Sequence, residues 1–209
     1  NCNHCYSRSQ LNEKELSLEE HKKVVDILSG WKVPFLNLGG GEPLVIPYLF
    51  EYVRYAGSKG LHVSMNSNGF LIDETVAKEI KLAGFKSVGI SIDSPKEEIH
   101  DNFRNRKGSF KKALNALDLL AKEGIKTTVS MVITKLNHLD FADIVSIIRS
   151  YSVKQLFLHN YKCTGFGYKN MEKYDLTPSE WKDFYKRALE LRGKLNDTIV
   201  SFDDPILHL

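Results

Sequence analysis

The chain is poor in cysteine, with three in 209 residues. That is too few for a disulfide framework. Only Cys2 and Cys5 lie close together, as C-x-x-C, and no second close Cys/His pair exists to complete a zinc site. No apolar run is long enough to span a bilayer. No secretory leader is expected either, since the sequence opens on the polar stretch Asn1-Cys2-Asn3-His4-Cys5. Basic runs interleaved with aromatics are missing, and 29 basic against 26 acidic residues leave a net charge of +3, too mild to argue for nucleic acid. Low-complexity runs and domain linkers are absent as well. What remains is one globular unit with enough apolar residues for a core, expected in a reducing, cytoplasmic compartment with no membrane or nucleic-acid partner.

The stretch with most punctuation is Gly39-Gly40-Gly41-Glu42-Pro43. It follows Pro34–Leu38, of strand character, and precedes Tyr48–Tyr55, of helical spacing. The glycines therefore sit at the carboxyl end of a strand, where the missing Cβ lets backbone approach a ligand. Glu42 adds a carboxylate at the strand tip, and Pro43 ends the strand. By itself this is also the composition of a tight turn.

Strands and helices alternate along the rest of the chain. Ser17-Leu-Glu-Glu20 predicts a capping box for a helix ending near Gly30. Strands are expected at 34–38, 61–65, 86–92, 126–133, 154–158 and 198–202. Helices are expected over about 47–58, from Asp73 to Gly84, over 110–123 with Ser109 as cap, over 139–150, and from Thr177 to about 192. Such alternation predicts a parallel sheet covered by helices on its outer face. The longest irregular stretch runs from Asn160 to Asp175, and its Gly165-Phe-Gly167 suggests a loop near a site.

Parallel sheets place ligands at the carboxyl ends of their strands. Those ends read Gly40–Glu42, Asn66–Asn68, Ser91–Asp93, Thr134 with Asn137, and His159–Tyr161. Each alone is ordinary turn chemistry, but small, polar or acidic residues recur at successive ends. For Cys2 and Cys5 three readings stay open: half of a zinc site, a redox dithiol, or part of an iron–sulfur site that needs a further thiolate.

In order and spacing these segments resemble the radical S-adenosylmethionine (SAM) superfamily. Cys2-Asn-His-Cys5 resembles the second half of its C-x-x-x-C-x-x-C signature. Gly40-Gly41-Glu42-Pro43 resembles its GGEP segment, and Met65–Gly69 resembles the turn after its third strand. Ser91-Ile-Asp93 with His100–Arg104 and Gly108–Phe110 resembles the segment after its fourth, and Val132–Asn137 the end of its fifth. The resemblance implies a partial (β/α)6 TIM-like barrel with helices outside a parallel sheet. It also implies a core domain over residues 1–209 that lacks the family's first strand, its first cluster cysteine and any carboxyl-terminal auxiliary domain. The section from Asn160 to Ser179 resembles enzymes of the SPASM or twitch type, among them peptide and protein maturases and haem-pathway enzymes.

The implied cofactors are a 4Fe–4S cluster and S-adenosyl-L-methionine. One electron from the cluster cleaves the sulfonium, and the resulting 5′-deoxyadenosyl radical abstracts hydrogen from a substrate. Carried over by position, Cys2 and Cys5 ligate iron, and His4 lies against adenine. Gly40 and Gly41 admit the methionine moiety, and Glu42 accepts from its ammonium. Asn66, Ser91 and Asp93 serve the ribose hydroxyls or the carboxylate, with Arg104 suited to the carboxylate. His100 and Asp101 are read as structural, and Cys163 as a loop or buried thiol. The implied partners are a peptide or protein substrate and an electron donor of flavodoxin or ferredoxin type. Rival readings are a radical SAM enzyme of haem or cofactor biosynthesis, and a zinc-binding or non-catalytic ligand-binding α/β domain.

Overall fold

The computed structural model describes residues 2–5 and 16–203. In chain order the elements are α1 Leu18–Gly30, β1 Phe35–Leu38, a 3-10 turn Pro43–Val45, α2 Leu49–Ser58, β2 His62–Ser67, α3 Glu74–Ala83 and β3 Ser87–Ser91. Then come α4 Glu97–Arg104, α5 Ser109–Lys122, β4 Thr127–Val132, α6 Phe141–Ser150, β5 Gln155–His159, the one-turn helices α7 Phe166–Lys169 and α8 Met171–Tyr174, α9 Pro178–Arg192 and β6 Ile199–Phe202. The six strands lie in sequence order and every neighbouring pair is parallel. β1 and β6 are the edges, so the sheet is open, as a partial barrel requires.

Local side-chain caps start three of the described α-helices. Ser17 and Glu20 form the expected capping box on α1, and Thr177 with Glu180 forms a second on α9, with Pro178 at its first position. Asp73 caps α3 by accepting from the Val76 N–H at 2.8 Å. The start of α5 differs from expectation. Its N-cap is Gly108, at φ +79°, and Ser109 is already helical. The first turn is served instead by Asp101, reaching across from α4. Its carboxylate accepts from the Gly108 N–H, from the Ser109 hydroxyl at 2.9 Å and from the Phe110 N–H at 2.8 Å. Those donors hold the Asp101 carboxyl below its usual range against the opposing effect of desolvation. His100 and Asp101 are thus structural, as read from the sequence. β2 also runs two residues past its expected end, which places Asn66 and Ser67 within the strand.

The two faces of the sheet differ in kind. Val63, Met65, Val88, Ile90, Val129, Met131, Leu156, Leu158, Val200 and Phe202 are buried in the main hydrophobic core with the helices. Alternation along each strand puts their neighbours on the other face. There the register aligns Asn37 with Ser64, Ser64 with Ser87, Asn66 with Gly89, Gly89 with Thr128, and Ser91 with Ser130. Closed (β/α)8 barrels fill this space with branched apolar side chains. Here the positions across β1–β4 carry a band of hydroxyls and amides, flanked on the same face by the apolar side chains of Phe35, Val132, Phe157 and Ile199.

Candidate cofactor site

Cys2 and Cys5 share one turn, closed by the Cys5 N–H donating to the Cys2 carbonyl at 3.2 Å. Neither is in a disulfide, and both are half-buried. The end of α4 holds one side of the turn. Asn3 donates its N–H to the Phe103 carbonyl at 3.1 Å and its side-chain amide to the Asn102 carbonyl at 2.9 Å. The segment after β5 holds the other, with the Phe166 N–H donating to the Cys5 carbonyl at 2.8 Å. His4 stacks on Phe103, ring centroids 4.0 Å apart and 12° from parallel. Burial first, then the nearby Arg104 charge, push the His4 pKa down to about 4. Its Nδ1 is buried without a hydrogen-bond partner. One face of the ring expected to meet adenine is therefore covered by Phe103.

Beneath the turn lies a buried ion pair. Arg104 Nε donates to Asp93 Oδ2 at 2.6 Å, and Asp93 Oδ1 accepts from the Val132 N–H at 3.0 Å. Desolvation would raise the Asp93 carboxyl, but Arg104 beside it drives it far below the usual carboxylate range. Burial opposes the Arg104 charge in turn, yet Asp93, Cys2 and Glu42 around it raise its pKa above normal. The guanidinium thus stands among an expected iron ligand and two expected cofactor-binding carboxylates. Both Asp93 oxygens are engaged inside the protein, which makes Asp93 the residue that positions Arg104. The Asp93 backbone is fixed too: its N–H donates to His100 Nδ1 at 3.1 Å, and its carbonyl accepts from Asn137 Nδ2 at 2.6 Å. Desolvation lowers His100 to about 4, which keeps the ring neutral and its Nδ1 an acceptor. Asn137 was legible only as a strand-end residue; its side chain ties the ends of β3 and β4 together.

Glu42 organises the other half. Its carboxylate accepts from the Ser67 hydroxyl and the Asn68 N–H, both at 2.8 Å, and from the Leu44 N–H at 3.3 Å. It therefore joins the turn after β1 to the end of β2. Burial raises its pKa in spite of these donors. A carboxylate has about four acceptor positions, so capacity remains for one ligand donor. Gly40 takes φ +107°, a conformation that favours glycine, and open space lies where a Cβ at Gly39 or Gly40 would point. Asn66 lies across Gly89, and Ser91 pairs in register with Ser130 on the same inner face.

Two thiols on one turn beside a buried cation suit two ligands of a cluster, for which three thiolates are needed to leave one iron open. Among the described residues no group of three or more His, Cys, Asp and Glu side chains converges. Cys163, expected on a separate loop, belongs to the segment that packs on the turn, yet its thiol donates to Asp175 at 3.3 Å. Burial and that carboxylate push it up to about 11, leaving it protonated.

Comparison with known proteins identifies the family and the fold. A family model described as the radical SAM superfamily matches residues 1–149. The chain is 34% identical over 198 residues to the Fe-coproporphyrin III synthase of Methanosarcina barkeri, covering 94% of this chain and 49% of that protein. It is 30% identical over 208 residues to the mycofactocin maturase MftC of Mycolicibacterium smegmatis, covering 99% and 50%. In fold it is similar to Streptococcus suis SuiB bound to precursor peptide SuiA, with a TM-score of 0.83 at 11% identity over 98% of this chain and 46% of that one. The chain spans about half the length of these curated relatives. With a parallel six-strand sheet, a paired-cysteine turn and a glycine–glutamate turn at its strand ends, it belongs to the radical SAM superfamily, whose cofactors are a 4Fe–4S cluster and S-adenosylmethionine.

Proposed function

We propose that this chain binds S-adenosylmethionine at the carboxyl ends of its strands and directs radical chemistry at a peptide or protein side chain. When bound, the cluster supplies the electron that cleaves S-adenosylmethionine to the hydrogen-abstracting 5′-deoxyadenosyl radical. Cys2 and Cys5 hold iron through their thiolates. The Gly40–Gly41 backbone admits the methionine moiety, and Glu42 accepts from its ammonium while bracing β1 against β2. Arg104, held by Asp93, meets the methionine carboxylate; Asn66 and Ser91 serve the ribose hydroxyls. An electron donor of flavodoxin or ferredoxin type, in a reducing cytoplasmic compartment, suits such thiolate chemistry.

The observation that carries the substrate class is the band of hydroxyls and amides across β1–β4 of the inner face, with Asn37, Ser64, Asn66, Thr128, Ser91 and Ser130 in matched register. Hydroxyls and amides on an open sheet suit the regularly spaced hydrogen-bonding groups of an extended polypeptide better than the flat ring of a tetrapyrrole, whose polar groups are peripheral carboxylates. A second reading, a tetrapyrrole substrate, is favoured by the 34% identity to a protein named Fe-coproporphyrin III synthase. The test incubates the full-length protein anaerobically with reductant, S-adenosylmethionine and either candidate peptides or an iron coproporphyrin. A peptide mass shift with matching 5′-deoxyadenosine supports the first reading. Deoxyadenosine driven by the porphyrin alone replaces it with the second.

A further inference from the structure

From sequence, the Asn160–Asp175 stretch reads as a loop near a site. Its hydrogen bonds lead to the cysteine turn. The Phe166 and Gly167 N–H groups both donate to the Cys5 carbonyl, at 2.8 and 3.3 Å, and the Asn170 side-chain amide donates to the Asn3 carbonyl at 2.9 Å. These carbonyls belong to the turn that carries both thiols. Gly167 approaches so closely that an added Cβ would lie 2.4 Å from the Lys162 carbonyl and 3.4 Å from that of His4. Behind it, the Tyr161 hydroxyl donates to the Gly167 carbonyl at 2.8 Å. Tyr161 and Tyr174 are buried with Phe103 in an aromatic group separate from the main core. Phe103 is also the ring under His4 and the residue whose carbonyl receives the Asn3 N–H. One small aromatic group therefore backs the turn from both sides.

We propose that residues 161–174 are a brace for the cysteine turn, with Asn170 and Tyr161 as positioning residues that fix the direction of the Cys2 and Cys5 thiolates. The inference rests on the reading of those thiolates as cluster ligands. Hydrogen bonds to the Asn3 and Cys5 carbonyls lock the peptide planes between and beside the two ligands. Preorganised ligands lose less freedom when they bind, and groups that orient a ligand from behind alter metal retention without touching the metal. The segment so engaged packs on the cofactor side of the site.

The test uses the full-length protein, reconstituted anaerobically, as wild type, Asn170→Asp, Asn170→Gln and Tyr161→Phe. Three quantities are read: the rate of iron transfer to an excess of chelator, the electron paramagnetic resonance spectrum of the reduced cluster with and without S-adenosylmethionine, and the melting temperature of the cluster-free protein. Asn170→Asp keeps the shape but loses the donor to the Asn3 and Phe166 carbonyls and turns a carboxylate toward them, and is expected to release iron roughly three- to tenfold faster with an altered spectrum, as loss of directed hydrogen bonds implies. Asn170→Gln, which keeps an amide donor, is expected to return toward wild type, and Tyr161→Phe to release iron about threefold faster. Wild-type release and spectra in both Asn170→Asp and Tyr161→Phe overturn the brace, as does a lowered melting temperature with both cluster readouts unmoved. Should Asn170→Asp fail to fold, Tyr161→Phe decides by the same readouts. A wild type that takes up no cluster overturns the cofactor reading together with the brace, whereas a wild type that does, with unaltered variants, overturns the brace alone.

Discussion

Arg104 Nε stands 2.6 Å from Asp93 Oδ2, with the Arg104 side chain 12% exposed and the Asp93 side chain 1% exposed. Asp93 ends the β3 side of the site and Arg104 ends α4, so the pair fixes the angle at which α4 leaves the sheet and brings Phe103 under the cysteine turn.

Asp93→Asn should be among the most damaging single changes at the strand ends. It strands the Arg104 charge in a buried place and weakens the acceptor for the Val132 N–H. Removing one partner of a buried pair costs about 3–5 kcal/mol, read as a lower urea midpoint. The sign of the pH dependence follows from the depressed Asp93 pKa: the contribution is fully present above the unfolded value of 3.8 and is lost as pH falls below it toward the folded value. Wild-type stability should therefore drop on acidification below about pH 4, and the variant should lose that part of the slope.

Glu42→Gln should weaken S-adenosylmethionine binding about tenfold, through loss of a charge-assisted hydrogen bond. The surroundings add a cost in stability. All three groups facing the carboxylate are donors, from Leu44, Ser67 and Asn68, so an amide NH2 must oppose at least one of them. A loss of about 1–2 kcal/mol should accompany the affinity change. Calorimetry with the cofactor and denaturation without it separate the two effects; unchanged affinity removes Glu42 from the ligand site.

Gly89→Ala places a Cβ 2.2 Å from Asn66 Oδ1 and 3.2 Å from Thr128 Oγ1. The clash falls on the end of a side chain that can turn away, so stability should change by less than about 1 kcal/mol. Asn66 would be swung off its present course across the inner face. If it serves the ribose, the dissociation constant of S-adenosylmethionine rises several-fold; an unchanged constant with an unchanged melting temperature argues that Asn66 does not touch the cofactor.

Cys163→Ser should leave iron content unchanged in the reconstituted full-length protein. The native thiol is protonated and committed to Asp175, and a hydroxyl can make the same bond. A fall in iron per chain would show that Cys163 acts on the cluster, as a ligand or through the segment that braces the cysteine turn.

Much of the architecture was already written in short segments. Capping boxes at Ser17–Glu20 and Thr177–Glu180, the glycine turn after β1, and the alternation of strand and helix depend on groups within a few residues of one another, so composition and spacing suffice to read them. The recurrence of polar residues at strand ends was legible for the same reason, and with it the identity of nearly every side chain around the site. Their partners were not. Asp93 as holder of Arg104, Asp101 as cap for a helix other than its own, Asn137 across two strand ends, and the segment near Gly167 against Cys5 all join groups that local chemistry does not relate. A buried donor or acceptor takes whichever partner the packing brings within about 3 Å. In a parallel sheet that choice is set by strand register and by the angles at which connecting helices leave it. Sequence determined which residues stand at the mouth of this sheet; tertiary packing decided which of them pair with one another.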